Sequence, residues 1–293
     1  MDSVLQQVLE RMNTPEELEN TIRYLTEKIG RFLKRRERVL ICLPDTVGSL
    51  GWVMGQAVER CEGVPFFLGP DRRWKTLMRT AFSSRCTTIV AEPLVLLGVS
   101  KLAKAMGVPL FIRNAIFVGY PCMPWMREGI QRGLDCSTYG CVEPGGVVAG
   151  FETKGDTRLW LRSELFDAWT RDQQGNRLPD NEEGEIVLRL LGDEEIIYPI
   201  GNYGRICHVP GEGVYMHGLS MGRLVEPDIA QLSGHLHRWT SILDCRVTRG
   251  SYGLELEIVT FPGEKLPKLP SCAKQVVRPW EPETELPLFL VYP

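Results

Sequence analysis

The sequence has no CxxC pair, no internal repeat, no low-complexity tract and no apolar run near the roughly 18 residues that a membrane span needs. Positive charge is also short: 34 Lys and Arg stand against 37 Asp and Glu, a net charge of -3 at pH 7. No basic surplus is left to neutralise a phosphate backbone, which argues against nucleic acid as the main partner, and nothing points to a membrane. The opening MDSVLQQVLERMNTPEELEN is acidic and lacks the basic-then-apolar order of a signal peptide, so the expectation is a soluble, cytoplasmic protein. Nine cysteines, an odd number without close pairing, argue for reduced thiols. Cys136 and Cys141, Cys207 beside His208, and His235 with His237 in GHLHR do not supply four zinc ligands at fixed short spacings. Buried small hydrophobes and ordinary imidazoles are the expected roles.

What is present reads as alternating elements. Asn13-Thr14-Pro15 and two acids precede Leu18, Ile22, Leu25 and Ile29 at helical intervals, predicting an amphipathic helix from about residue 15 to 35. Its apolar stripe needs a partner face on this chain or another. Short apolar runs then follow at 38–43, 64–69, 87–92 and 114–119, separated by SLGWVMGQAVERC, RRWKTLMRTAF and PLVLLGVSKLAKAMG with helical spacing. This order predicts an α/β fold with a mostly parallel, doubly wound sheet. From about residue 151 the pattern changes to strands and turns, RLWLRSEL, DQQGNRLP, GEIVLRLL and GVYMHG, a mixed or antiparallel continuation. Beyond SMGRLVEPD a small α+β segment is expected, with a helix near PDIAQLSGHL, strands at ILDCRVTRG and GLELEIVTF, and a tail too rich in proline to be regular throughout. The boundaries are an N-terminal helix at 1–37, a core at 38–221 and a small C-terminal domain at 222–293.

In such sheets ligands bind beyond the carboxyl ends of the strands. Three loops qualify. DTVGSLGW follows the first strand; Gly48 and Gly51 could approach a phosphate, but without a complete glycine fingerprint they read better as helix-packing residues. GYPCMPW follows the fourth strand and is expected to form a pocket wall. CSTYGCVEPGG, 136–146, joins an aromatic ring, a carboxylate and three glycines in a turn, which suits either a ligand or a plain glycine corner.

The order of segments adds a resemblance. Tyr139-Gly140-x-x-Glu143 is followed by GNRLPDNEEGEIVLRLL, YPIGNYGRI and MGRLVEPD. This series resembles the adenylate-forming superfamily of acyl-CoA synthetases, luciferases and peptide-synthetase adenylation domains, and looks most similar to phenylacetate-CoA ligases. The resemblance runs from about residue 38 to 260 and rests on order and layout more than on identities. It implies that Tyr139 stacks on adenine, that Gly140 lets a nucleotide approach and that Glu143 binds magnesium. Asn202 would stand at the aspartate that holds the ribose hydroxyls, Arg205 at the basic position after it, and Gly222 with Arg223 at a domain hinge. ATP or AMP, magnesium and CoA are the implied cofactors, and an acyl or aryl acid the implied substrate.

The departures from the family pattern bear on mechanism. The Ser/Thr/Gly-rich phosphate loop expected before the first strand is replaced in residues 1–37 by a charged helix. Val142 replaces a hydroxyl residue before Glu143, Asn202 replaces an aspartate, and the C-terminal segment lacks the family's lysine-bearing loop, giving a truncated pattern. A pentavalent phosphate would lose most of its cationic stabilisation. Two readings follow: an acid–thiol ligase helped by a protein partner or another copy of itself, or a catalytically degenerate binding or accessory protein that keeps a nucleotide or acyl pocket. A Rossmann-type dehydrogenase or transferase is disfavoured, because no complete glycine fingerprint follows the first strand.

Overall fold

The computed structural model describes residues 7–8, 10–11, 13–69, 74–119, 121–144, 147–153, 156–192, 196–220, 227–239, 241–261, 266, 268–269 and 274–280. Helix α1, Pro15–Gly30, begins where expected: the Thr14 hydroxyl accepts from the Glu17 N–H at 3.3 Å, Pro15 sits in the first turn, and Glu16 and Glu17 face the positive end of the helix. Then follow β1 Arg38–Ile41, α2 Leu50–Arg60, β2 Val64–Phe67, α3 Trp74–Ser83, β3 Thr88–Ala91, α4 Pro93–Met106, β4 Asn114–Phe117, α5 Pro124–Leu134 and β5 Ser137–Val142. Strands β6 Gly150–Glu152, β7 Leu159–Leu161, β8 Phe166–Arg171, β9 Gly184–Leu190, β10 Ile196–Val209 and β11 Gly213–Ser220 come next. Helix α6 Pro227–His237 and strands β12 Ile242–Gly250, β13 Gly253–Thr260 and β14 Lys274–Pro279 complete the order.

Eleven strands form one sheet in the order β2-β1-β3-β4-β5-β6-β7-β11-β10-β9-β8. The first five pair in parallel and the rest antiparallel. Strands β3 and β4 are buried at every position, as parallel strands covered on both faces require. On one face Ile22, Leu25 and Ile29 of α1 pack with Val53, Met54, Ala57 and Val58 of α2. The partner that the amphipathic helix needs is therefore α2, and each such side chain contributes about 1.5–3 kcal/mol by leaving water. Helices α3, α4 and α5 cover the other face through Leu77, Leu96, Val99 and Ile130. The antiparallel half closes over its own core, in which Phe166, Ile186, Leu188, Ile206 and Met216 are buried.

Strands β12, β13 and β14 form a separate three-stranded sheet beside α6. Within the described part of the proline-rich tail, Lys274–Pro279 pairs in parallel with β13; its one proline, Pro279, stands opposite Thr260, and the next residue, Trp280, donates its N–H to the Thr260 carbonyl at 2.7 Å. The small unit packs on the core, since Leu243, Val259 and Phe261 join the cluster under α3, α4 and α5. No described helix is long and apolar enough to cross a membrane.

Candidate active site

The parallel strands run in the order 2-1-3-4-5, which reverses direction between β1 and β3, and ligands gather at such a switch point beyond the carboxyl ends of the strands. Two clefts open there. The larger, about 760 Å³, is bordered by Gly119 after β4, Pro121, Cys122 and Pro124 of the following turn, Glu143 after β5, and Asn202 and His217 from the antiparallel half. The smaller, about 720 Å³, is walled by Leu43, Pro44, Leu50, Val53, Val147 and Val148, with Glu92 after β3 at its edge. Gly119 and Glu143 border both, so Glu143 stands where the clefts meet. Glu92 and Glu143 also converge: a Cβ placed on Gly119 would lie 3.5 Å from Cγ of Glu92 and 4.0 Å from Oε1 of Glu143.

The floor of the larger cleft is a buried ion pair. Arg127 of α5 donates through Nη1 and Nη2 to the two oxygens of Glu152, at 2.9 and 2.6 Å, and its guanidinium lies 5.0 Å over the Phe117 ring. Glu152 Oε2 also accepts the Gly140 N–H at 2.8 Å, and Nη1 of Arg127 donates to Thr138 Oγ1 at 3.1 Å. Burial pushes the Glu152 carboxyl up from its ordinary value, against the opposing pull of Arg127. Among the described lining residues Arg127 is the one Lys or Arg, facing the two carboxylates Glu143 and Glu152.

The segment 136–146 is mostly strand rather than turn. Residues 137–142 form β5, Glu143 and Pro144 lie just beyond its end, and Gly145 and Gly146 lie outside the described residues. Alternation along a strand sends neighbours to opposite faces, and this decides the fate of Tyr139. Its ring is buried at 1% exposure and stacks on Phe32, centroids 4.0 Å apart, beneath α1 and α2. It cannot stack on an adenine in either cleft, and that expectation is corrected. Gly140 does border the larger cleft, yet the close approach that requires glycine is to its own chain, because a Cβ there would meet Glu152 Oε1 at 2.9 Å.

Asn202 reaches the cleft through a fault in the ladder. The pairing of β10 with β9 shifts between Pro199 and Tyr203, and Gly201 takes a φ of 74°, a left-handed position that re-aims the next side chain. Arg205 does not join it. Its guanidinium donates to the Asn181 carbonyl at 2.9 Å and to Glu183 at 3.3 Å, outside the cleft lining, so the basic role expected of it is also corrected. Gly222 and Arg223 lie outside the described residues. The loop after β1 behaves as the packing reading expected: Gly51 is pressed against the Pro44 carbonyl, while Gly48 borders the smaller cleft. The zinc fragments do not assemble, for no group of three or more potential ligands occurs among the described residues. His208 instead pairs with Asp180 at 2.7 Å.

Arg127, Glu152, Glu92 and His217 were not singled out by the sequence. Glu92 carried a usable signal, an acid directly after a strand and before Pro93 at a helix start. No local pattern pairs Arg127 with Glu152, which come from a helix and a strand on either side of β5.

No family description matches the chain, and no curated protein matches it in sequence. Solved structures do share its fold. A 2-hydroxyisobutyryl-CoA ligase, in complex with 2-HIB-AMP and CoA, superposes with a TM-score of 0.61 at 13% identity, over 84% of this chain and 60% of that one. A benzoate CoA ligase from Burkholderia xenovorans gives 0.60 at 11% identity over 94% and 65%. The amide bond synthetase McbA from Marinactinospora thermotolerans gives 0.58 at 14% over 88% and 61%. The chain thus has the fold of the adenylate-forming CoA ligases, and spans about 60% of the length of the first of them. At these identities the likeness is one of fold.

Proposed function

We propose that the chain binds an acyl or aryl acid and an adenine nucleotide in the two adjoining clefts, as an acid–thiol ligase does. The observation that carries this is the position of Glu143, shared by both clefts at the carboxyl ends of the parallel strands. The aliphatic wall of the smaller cleft suits the acyl or aryl part, and the order of sequence segments favours an aryl acid of the phenylacetate type. The larger cleft, with Asn202 as a ribose partner, suits the nucleotide. The residues present fit a divalent cation: Glu143 and Glu92 offer hard oxygen donors near Gly119, and magnesium takes one or two carboxylates together with phosphate oxygens. The ion would offset phosphate charge that the lone, already paired Arg127 cannot. CoA, or another thiol, would be the acceptor.

The same charge balance favours a second reading, a binding or accessory protein that keeps the pocket without turnover. Three carboxylates and one engaged guanidinium give little help to a pentavalent phosphate. ATP-dependent pyrophosphate exchange with a panel of aryl and fatty acids separates the two. A ligase shows exchange that Glu143→Ala abolishes. No exchange, with calorimetric binding of ATP, AMP or CoA retained, supports the accessory reading, and no binding of any of the three removes the nucleotide assignment.

A further inference from the structure

Thr21 of α1 is the one buried polar side chain among the described residues that wall the smaller cleft, at 6% exposure. It belongs to the inward stripe of the helix, beside Ile22 and Leu25. Its Oγ1 accepts from Nη1 of Arg162 at 2.9 Å. Arg162 is itself fixed: it is buried, donates through Nε to Glu164 at 3.2 Å, and lies 5.2 Å over the Tyr24 ring. A guanidinium only donates, so the Thr21 oxygen is the acceptor in this pair, and its own proton is left for another partner.

Neighbouring hydroxyls spend that proton within the chain. Thr26, further along α1, donates to the Ile22 carbonyl at 2.8 Å, the bond back to the preceding turn that threonine commonly makes in a helix. Ser49, at the rim of the cleft, donates to the Pro44 carbonyl at 2.5 Å. Thr21 makes neither kind of bond, and among the described residues its O–H has no acceptor. The wall around it is aliphatic, with Leu18, Leu50, Val53 and Val148. In such a wall a donor is costly to leave unmade, and the bond from the Arg162 cation polarises the hydroxyl into a stronger donor.

We infer that Thr21 is a specificity residue of the smaller cleft, donating its hydroxyl proton to an oxygen substituent on the acyl or aryl part of the bound acid. The inference rests on the reading of that cleft as the acid site. It names the substrate class more closely: acids that carry a hydroxy, alkoxy or oxo group besides the carboxylate, in preference to plain hydrocarbon acids of the same shape. A site built to bond an oxygen discriminates against the analogue that lacks it, because the donor is then left unpaired. Helix α1 lies before residue 38, where the resemblance in segment order begins, so this selectivity comes from a segment that the family pattern does not supply.

Calorimetry of the full chain with ortho, meta and para methoxyphenylacetate, and with their ethyl twins that match in shape and lack the oxygen, tests this in the presence and absence of AMP. The expected result is a methoxy-to-ethyl affinity ratio that at one ring position exceeds the other two by about three- to tenfold, the worth of one hydrogen bond. Thr21→Val keeps the shape and removes the proton, and should bring that ratio down to the level of the others. Thr21→Ser should keep it. Ratios equal at all ring positions, a ratio unchanged in Thr21→Val, or one lost as fully in Thr21→Ser would each overturn the inference. The comparison of ring positions uses the unaltered chain alone, so a variant that fails to fold leaves the answer intact. AMP cannot activate the acid, so the outcome is independent of adenylation. If no acid of either series binds, the reading of the cleft falls and the inference with it; if both series bind at equal ratios, the role of Thr21 alone falls.

Discussion

The charged cluster under the larger cleft and the one where the small unit meets the core are finished to different degrees. Under the larger cleft, both oxygens of Glu152 are taken by Arg127, and the Gly140 N–H adds a third bond. Where the small unit meets the core, Lys101 of α4 spends its ammonium on the Ile242 carbonyl at 2.7 Å. Among the described residues Asp244 accepts from the Cys245 N–H at 2.8 Å, while its Oδ2 and both ring nitrogens of His237 find no hydrogen-bond partner. His237 and Asp244 approach no closer than 3.9 Å, while the imidazole stacks on Trp125 with centroids 5.4 Å apart. Burial sets the charge states here: it pushes the Asp244 carboxyl up to about 8, draws the Lys101 ammonium down to about 8 and holds His237 well below its ordinary value. A satisfied network fixes a shape, whereas a half-satisfied one makes the joint sensitive to protons.

The comparison breaks most readily at its strong end. Glu152→Ala leaves the partly buried Arg127 guanidinium and the buried Gly140 N–H without their acceptor, and should cost about 1–3 kcal/mol in urea unfolding. A cost under 1 kcal/mol would show that the pair is not the floor of the cleft. The pH response of the other cluster comes next. A carboxyl raised in the folded state loses its contribution as pH climbs from the unfolded value toward about 8, so stability falls with rising pH. Below the ordinary histidine value of 6.5, His237 acts with the opposite sign, because the unfolded chain takes up a proton that the buried ring refuses. Between pH 6.5 and 8 the Asp244 slope leads and amounts to at most about 2 kcal/mol, opposed toward pH 8 by Lys101, whose lowered ammonium loses its proton in the folded state first and makes stability rise with pH. Asp244→Asn should flatten it, with Trp125 fluorescence reporting on the joint; an equal fall in the variant would place its origin elsewhere. Smallest is Arg205→Ala. Lying outside both clusters and the clefts, it should change stability by no more than about 1 kcal/mol and leave calorimetric ATP affinity alone.

The parallel half was legible because its strands are short apolar runs and its helices carry apolar stripes, both local patterns. Strands β1 to β4 lie within the runs 38–43, 64–69, 87–92 and 114–119 that the sequence marked. Glu143, Asn202 and the proline turn at 121–124 were placed at the cleft by their position after strands and by segment order. Tyr139 was misread because which face of a strand a side chain takes depends on register with β4, and its stacking partner Phe32 comes from the other end of the sheet's cover. Arg205 was misread for the related reason that the bulge before it changes which residues face the cleft. Both errors concern direction, which composition and spacing do not carry.

Strand β2 ends the large sheet on one side, with Val64 and Phe67 exposed in the run VPFF. The N–H groups of Val64 and Leu68 point inward, to the carbonyls of Glu37 and Ile41, so those of residues 65 and 67 point out to solvent. Residue 65 is proline and has no N–H to offer. The open edge therefore lacks a donor at the position where a second strand would begin to pair, and an apolar tetrapeptide that would otherwise invite aggregation carries its own gatekeeper.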